Sequence, residues 1–112
     1  MHSYTLPIHD PLNTTETVTL DLLLLKKTSV ILRALNHKLR QQILQLIDQK
    51  GKVTVTEIYI HLRVEQSVAS QHLAILRKAG FVNTTREGKF IYYSINMDRM
   101  RALTELMDQL LK

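Results

Sequence analysis

The stretch from Thr54 to Ala79 reads TVTEIYIHLRVEQSVASQHLAILRKA and carries the signals of two helices separated by a brief turn. Thr54 and Glu57 have the Thr-x-x-Glu spacing of a capping box, which marks the start of a short helix that ends near Arg63. A second helix is predicted from about Gln66 to the end of the stretch. Two helices joined by a tight turn predict a helix-turn-helix.

A β-hairpin is predicted directly after this pair, over about residues 81–95. Two β-rich runs flank the dipeptide Glu87–Gly88, which is a strong hairpin signal. A helix-turn-helix followed by a β-hairpin, which is called the wing, predicts a winged helix-turn-helix fold that is mainly α with this small hairpin. The wing tip carries Arg86 and Lys89, which can reach phosphates or a narrow minor groove, although a solubilising turn is the simpler interpretation.

The N-terminal part of the chain is predicted to hold an irregular arm and a helix. Residues 1–13 contain two prolines and are interpreted as the arm, outside a domain over residues 14–112. From Thr14 or Thr15, apolar residues recur at spacings of three and four, which predicts a helix to about Leu35.

Two further helices complete the prediction. Asn36 is interpreted as the N-cap of a helix that Gly51 terminates. A C-terminal helix is expected to follow Asn96, over about residues 97–111.

The first and last helices carry more apolar residues than a single core needs, and nothing follows the last one to cover it. Both faces therefore require a partner, and we expect the two helices to form a homodimer interface. The residues expected in it are Leu22, Leu25, Leu32, Met100, Leu103, Leu106, Met107 and Leu110.

The second helix of a helix-turn-helix lies in the major groove, with its N-terminal residues at the base edges. Here Gln66, Ser67, Ser70 and Gln71 recur on one side, and no acidic residue lies between Gln66 and Ala79. Gln bonds adenine edges, and Ser bonds bases or phosphates. A polar solvent face is the alternative, but the adjacent wing favours DNA binding.

Composition agrees with a nucleic-acid partner. The chain has 112 residues, one domain's length, and a net charge of +5. Residues 26–101 hold 14 basic and 5 acidic side chains, or +9, whereas residues 1–25 carry −3. A basic central block suits phosphate neutralisation, although ordinary solvated lysines give the same count.

Several classes of function are disfavoured by the residues themselves. With no Cys, the chain has no disulfide scaffold, Cys-based zinc site, thiolate nucleophile or thiol redox sensor. No signal peptide or transmembrane segment is visible, so we expect a soluble, cytoplasmic protein without a membrane partner. No catalytic constellation or phosphate-binding Gly loop is present, so no enzyme and no cofactor are expected.

Several motifs in order resemble the ArsR/SmtB family of bacterial winged-helix repressors, over about residues 28–95. They are LNHKLRQQIL (35–44), VTEI (55–58), QSVASQHLAILRKAGFV (66–82) and REGKFIYY (86–93). Three positions depart from the family pattern. Lys38 occupies a position where the family commonly has Pro, and Arg63 one where it often has Gly. Glu65 occupies the position where Ser usually caps the recognition helix.

The resemblance implies a homodimer that places two recognition helices in successive major grooves of an inverted repeat, about 34 Å apart. The DNA-binding residues expected on this basis are Thr56, Gln66, Ser67, Ser70, Gln71, His72, Arg77, Arg86 and Lys89. For His72, between the two sides of its helix, packing and a phosphate contact are both open.

Many members of this family release DNA when a metal binds to Cys residues or to Asp, His and Glu on the last helix. Here the last helix has Asp98, Glu105 and Asp108 but no His, and carboxylates alone suit thiophilic metals poorly. We therefore expect a dimeric repressor without a metal site, whose inducer is unknown. The alternative is a winged-helix protein–protein interaction module without specific DNA binding.

Overall fold

The computed structural model describes residues 4–112, and within them the chain forms helices and two antiparallel hairpins. The elements in chain order are β1 (Thr5–His9), β2 (Thr17–Asp21), α1 (Leu22–Leu35), α2 (Lys38–Lys50), α3 (Val55–Leu62), α4 (Gln66–Lys78), β3 (Val82–Glu87), β4 (Phe90–Ile95) and α5 (Met97–Leu110). The chain divides into two units between Arg33 and Ala34, rather than after residue 13, and each unit is described by itself.

The N-terminal unit contains a hairpin that the sequence interpretation missed. The predictions of an irregular arm and of a helix from Thr14 or Thr15 were both wrong, because β1 pairs with β2 from Thr5↔Asp21 to His9↔Thr17. Residues 1–3 of the predicted arm lie outside the described residues. The run TVTL in β2 alternates threonine with aliphatic residues, and β-branched residues such as threonine and valine favour strands.

Asp10 and Asn13 build the turn between these strands with their side chains. The Asp10 carboxylate accepts from Leu12 N at 2.8 Å, and the Asn13 side chain accepts from Thr15 N at 3.3 Å. Short side-chain bonds of this kind stabilise turns and compete with helix formation. The chain therefore turns over the residues where a helix was expected to begin.

Helix α1 begins at Leu22 because Asp21 caps it. The Asp21 carboxylate accepts from Leu23 N and Leu24 N, each at 3.0 Å. This is the N-cap contact that satisfies otherwise unpaired helical N–H groups. The predicted end of the helix at Leu35 is confirmed.

The second unit, residues 34–112, holds the winged helix-turn-helix predicted from the sequence. Its largest fully buried side chains are Phe81, Ile43, Ile47, Ile58, Leu73, Leu76 and Val53. Helix α2 starts one residue later than expected, since the N-cap is His37, whose Nδ1 accepts from Leu39 N at 3.1 Å, and not Asn36. Val53 forms an isolated bridge with Tyr93, which joins the wing to the loop before α3.

The end of α4 is fastened to the start of α5. Arg99 donates from Nε and Nη2 to the Ala79 carbonyl, at 3.2 and 2.9 Å, and the Asn96 amide donates to the Gly80 carbonyl at 2.9 Å. Asn96 also caps α5, as predicted, by accepting from Arg99 N. A cation at a helix C-terminus is favoured by the helix dipole, so this contact stabilises α4.

We expect Arg99→Ala to lower the free energy of unfolding by about 1.5–3 kcal/mol, because charged hydrogen bonds to a part-buried carbonyl are lost. The Arg101 side chain on the same helix pairs with the exposed Asp98, so Arg101→Ala should change stability by less than about 0.5 kcal/mol. Urea unfolding of both variants measures the two values. Equal losses would mean that the Ala79 contact adds nothing.

A cluster of basic side chains joins α2 to α4. The His72 ring lies 4.7 Å from the His37 ring, and Arg40 Nη1 lies 3.1 Å from His72 Nδ1. Because Arg40 donates, His72 Nδ1 must accept, which requires the neutral imidazole in this contact. Burial, followed by the nearby His37 and Arg40, lowers the pKa of His72.

The lowered pKa of His72 predicts acid sensitivity. Below about pH 6.5 the unfolded chain takes up a proton at His72 more readily than the folded chain, so stability falls until the pH passes the folded pKa. We expect His72→Gln to reduce this loss. His61→Gln, at an exposed position on α3, is the control and should retain it. Thermal unfolding between pH 5 and 8 measures the difference, and parallel curves for wild type and His72→Gln would contradict the prediction.

Candidate nucleic-acid interface

Helix α3 begins at the predicted capping box. Thr54 Oγ1 accepts from Glu57 N, and the Glu57 carboxylate accepts from Thr54 N, both at 3.2 Å. The reciprocal bonds satisfy two main-chain donors at the helix start. Buried Ile58 anchors α3 in the core, and Thr56 is exposed in its first turn.

The turn between α3 and α4 is short and has a left-handed residue at its start. Arg63 has φ 57° and ψ 47°, and its N–H bonds to the Ile60 carbonyl at 3.3 Å. This conformation explains why a glycine would suit the position. Glu65 precedes α4 in an extended conformation and makes no side-chain capping bond, as its departure from the family pattern predicts.

Helix α4 is amphipathic, with one buried and one exposed side. Ala69, Leu73 and Leu76 are buried, which fixes the rotation of the helix about its axis. The exposed side carries the row that we call the recognition row, which is Gln66, Ser67, Ser70 and Gln71. The amides and hydroxyls in this row have the hydrogen-bonding groups that base edges require. Arg77 is exposed farther along the helix.

His72 does not belong to the recognition row. Its ring is half-buried against His37 and Arg40 of α2. Of the two roles that the sequence left open, these contacts favour packing. The orientation could not be predicted from helical spacing alone because it depends on residues of another helix.

The wing tip lies one residue later than predicted. β3 and β4 pair from Val82↔Ile95 to Glu87↔Phe90, so Gly88 and Lys89 form the loop. Gly88 has φ 64°, which suits a tight hairpin turn. Arg86 and Lys89 are both exposed at this end of the wing.

Lys52 is a residue of this region that the sequence analysis missed. Its Nζ lies 2.5 Å from the Glu87 carboxylate and 4.6 Å from the centre of the Tyr92 ring. The hydrogen bond to Glu87 raises the pKa of Lys52. Since Lys52 pairs with the acid of the wing, the remaining charge at the tip comes from Arg86 and Lys89. The available signal was the next residue, Val53, a β-branched residue two positions after Gly51 that pairs with Tyr93 of the wing.

The second unit therefore presents an exposed row of amides and hydroxyls on one helix and exposed cations on the wing that follows it. This combination suits DNA, since hydrogen bonds read base edges and cations neutralise phosphates. Across residues 4–112, no group of three or more His, Asp or Glu side chains is arranged to hold a metal ion. No helix in that range is long and apolar enough to cross a membrane.

Comparison with known proteins agrees with this arrangement. The family model described as "Bacterial regulatory protein, arsR family" matches residues 37–84. The transcriptional activator HlyU of Vibrio cholerae is 38% identical over 85 residues, which cover 75% of this chain and 77% of the relative. The biofilm growth-associated repressor of Agrobacterium fabrum is 33% identical over 81 residues, covering 72% and 68%.

Solved structures show the same fold. HlyU from Vibrio cholerae superposes with a TM-score of 0.60 at 35% identity and covers 76% of this chain and 91% of its own. The transcriptional repressor PagR of Bacillus anthracis gives 0.61 at 29% identity, covering 78% and 99%. With these relatives and the winged helix-turn-helix in place, the chain belongs to the ArsR family of bacterial regulatory proteins, as a DNA-binding transcriptional regulator and not an enzyme.

Proposed function

We propose that the chain is a homodimeric, sequence-specific repressor that binds an inverted repeat in double-stranded DNA. The observation that carries the proposal is the recognition row, exposed on a helix whose opposite side is buried in the core. A helix held in this way keeps its polar row in one orientation, so its side chains can enter a major groove without rearrangement of the fold.

In this proposal the recognition row reads base edges, with the Gln66 and Gln71 amides directed at adenine and the two serines at bases or phosphates. Thr56 and Arg77 contact the backbone, and so do Arg86 and Lys89 at the wing. Phosphate contacts position the protein but carry little sequence information, whereas base contacts specify the site. His72 keeps α4 packed on α2 and has no direct contact with DNA.

The proposed dimer uses α5 together with α1. No residue of α5 is buried, and its expected interface residues Leu106, Met107 and Leu110 are exposed. On α1, Leu25 and Leu32 are exposed as well, whereas Leu22, Met100 and Leu103 are half-buried. Exposed aliphatic faces on a helix mark interaction surfaces, and a two-fold dimer covers both copies of each face.

The proposed repressor works without a Cys-based sensor site, since the sequence has no Cys. Occupation of a promoter by the dimer prevents transcription, and the signal that releases it is not a metal bound by thiolates. Selection of duplexes from a random pool, followed by competition with metals and small ligands, identifies both the operator and the signal.

We expect Gln71→Ala to weaken binding to the selected operator by about 1–3 kcal/mol and to relax its sequence preference, because a base contact is lost. Arg86→Ala should weaken binding to all duplexes and reduce the salt dependence by roughly one counterion. Gln109→Ala, at an exposed position on α5, is the control and should bind as the wild type does. Fluorescence anisotropy at several salt concentrations measures all three.

Two results would contradict the site assignment. One is unchanged operator binding by Gln71→Ala combined with Arg86→Ala. The other is equal affinity of the wild type for unrelated duplexes at physiological salt, which would favour a protein–protein interaction module.

We expect Met107→Glu to dissociate the dimer, because burying a carboxylate in an apolar interface without a partner is costly. Gln109→Glu adds the same charge two residues away on a different side of the helix, so it should leave the dimer intact. Sedimentation velocity at micromolar concentration distinguishes the species. A dimeric Met107→Glu variant would exclude this face of α5 from the interface.

A further inference from the structure

The hairpin of β1 and β2 has an aliphatic face that no part of the described chain covers. Leu6, Ile8, Val18 and Leu20 share one side of the two strands and are 45, 51, 58 and 40% exposed. A two-stranded hairpin is marginally stable alone in water, and stable sheets need more strands or a packed face. The hairpin therefore has the properties of part of a larger sheet.

The hydrogen-bond pattern shows which main-chain groups of the hairpin face outward. Leu22 N donates to the Tyr4 carbonyl at 2.6 Å, and Asp10 N donates to the Glu16 carbonyl at 3.4 Å. Hydrogen-bonded and non-hydrogen-bonded pairs alternate between antiparallel strands. The even-numbered residues therefore bond across the hairpin, and the odd-numbered residues direct their N–H and C=O groups outward.

The two edges differ in their ability to accept another strand. On β1, the central outward position is Pro7, which has no N–H to donate, and proline is a common device that blunts an edge. On β2, the outward positions include Thr17 and Thr19, which are exposed and make no main-chain bond beyond the hairpin within residues 4–112. Only the β2 edge is open to strand addition.

We propose that this edge of β2 pairs antiparallel with β2 of a second copy of the chain. The product is a four-stranded sheet across the two-fold axis of the dimer, in the order β1-β2-β2-β1. The inference rests on the dimer of the proposed function and adds a second contact to it. The occupant is a second copy because β2 runs directly into α1, to which the proposal already assigns a dimer contact.

One register uses the whole strand. With Thr19 opposite Thr19 of the second copy, Thr17 lies opposite Asp21, and Val18 lies opposite Leu20 on the aliphatic side. Each Thr19 N–H then donates to the Thr19 carbonyl of the other copy, and each Asp21 N–H donates to a Thr17 carbonyl. A shifted register in which Asp21 of one copy lies opposite Asp21 of the other would place two carboxylates next to each other, which is unfavourable.

Charge argues against DNA as the occupant. Residues 4–25 contain Asp10, Glu16 and Asp21 and no Lys or Arg. A surface with this charge repels phosphates, whereas nonspecific DNA affinity needs cations. In the proposed register Val18 of each copy lies beside Leu20 of the other, so the pairing also buries part of the apolar surface of these side chains.

The absence of cysteine makes a direct test possible with the full-length chain. In Thr19→Cys, the two sulfurs lie on hydrogen-bonded opposite residues, whose Cα atoms are about 5.5 Å apart, within disulfide range. In the control His9→Cys the cysteines lie on the outer strands, roughly 14 Å apart or more, and cannot bridge. We expect covalent dimer from the first variant and monomer from the second on non-reducing gels after mild oxidation.

A second variant measures the contribution of the edge. Thr19 N–H points away from β1, so Thr19→Pro keeps the hairpin bonds and blocks only the new edge. We expect its dimer dissociation constant to rise roughly tenfold, as lost hydrogen bonds between the copies predict. An unchanged dissociation constant, or equal cross-linking of Thr19→Cys and His9→Cys, would overturn the proposal.

The outcome separates this inference from the proposed function. If the wild type binds its operator as a dimer but Thr19→Cys does not cross-link, the paired hairpins are excluded and the dimeric regulator stands. If Thr19→Cys cross-links but no duplex is preferred, the hairpin contact stands and specific repression is excluded. Capture of another protein by the hairpin in place of a second copy also excludes the pairing.

Discussion

The burial of Phe81 is the constraint on which the rest of the second unit depends. Its N–H donates to the Leu76 carbonyl and its carbonyl accepts from Asn96 N, both at 2.9 Å. One fully buried residue thus fixes the end of the recognition helix, the start of the wing and the start of the last helix. Gly80 makes the arrangement possible, because its φ of 88° reverses the chain directly before the buried ring. Without that burial, the recognition row and the wing would no longer be held in a fixed position relative to each other.

The parts of the fold that could be predicted from sequence are those whose signals are local. The capping box of Thr54 and Glu57, and the cap at Asn96, act within four residues, so their spacing alone locates the helix starts. The prediction for the N-terminal unit was wrong because the local signal there was ambiguous. The leucines from Leu22 onward continue an apolar pattern back through Val18, and periodicity cannot show where a strand gives way to a helix. Asp21, a good N-cap before that run, was the signal that marks the boundary.

Much of the candidate site could also be predicted, because the spacing of polar and apolar residues in an amphipathic helix shows which residues share its polar side. Two features could not. Lys52 pairs with Glu87 across 35 residues of sequence, and the bridge between Val53 and Tyr93 helps to bring them together. His72 faces α2 rather than the exposed side, since its position depends on Arg40 and His37. Both depend on tertiary contacts, which a single sequence does not specify.

Arg63 shows that this regulator gives up some conformational stability at the bend between α3 and α4. A side chain in the left-handed region carries a steric penalty of about 1–2 kcal/mol that glycine avoids. Retaining arginine keeps a permanently charged, exposed guanidinium at the helix junction, which glycine cannot provide. At this bend one residue therefore adds positive charge to the surface and lowers the conformational stability of the chain. Sequences that differ only at this position would therefore differ in both stability and surface charge.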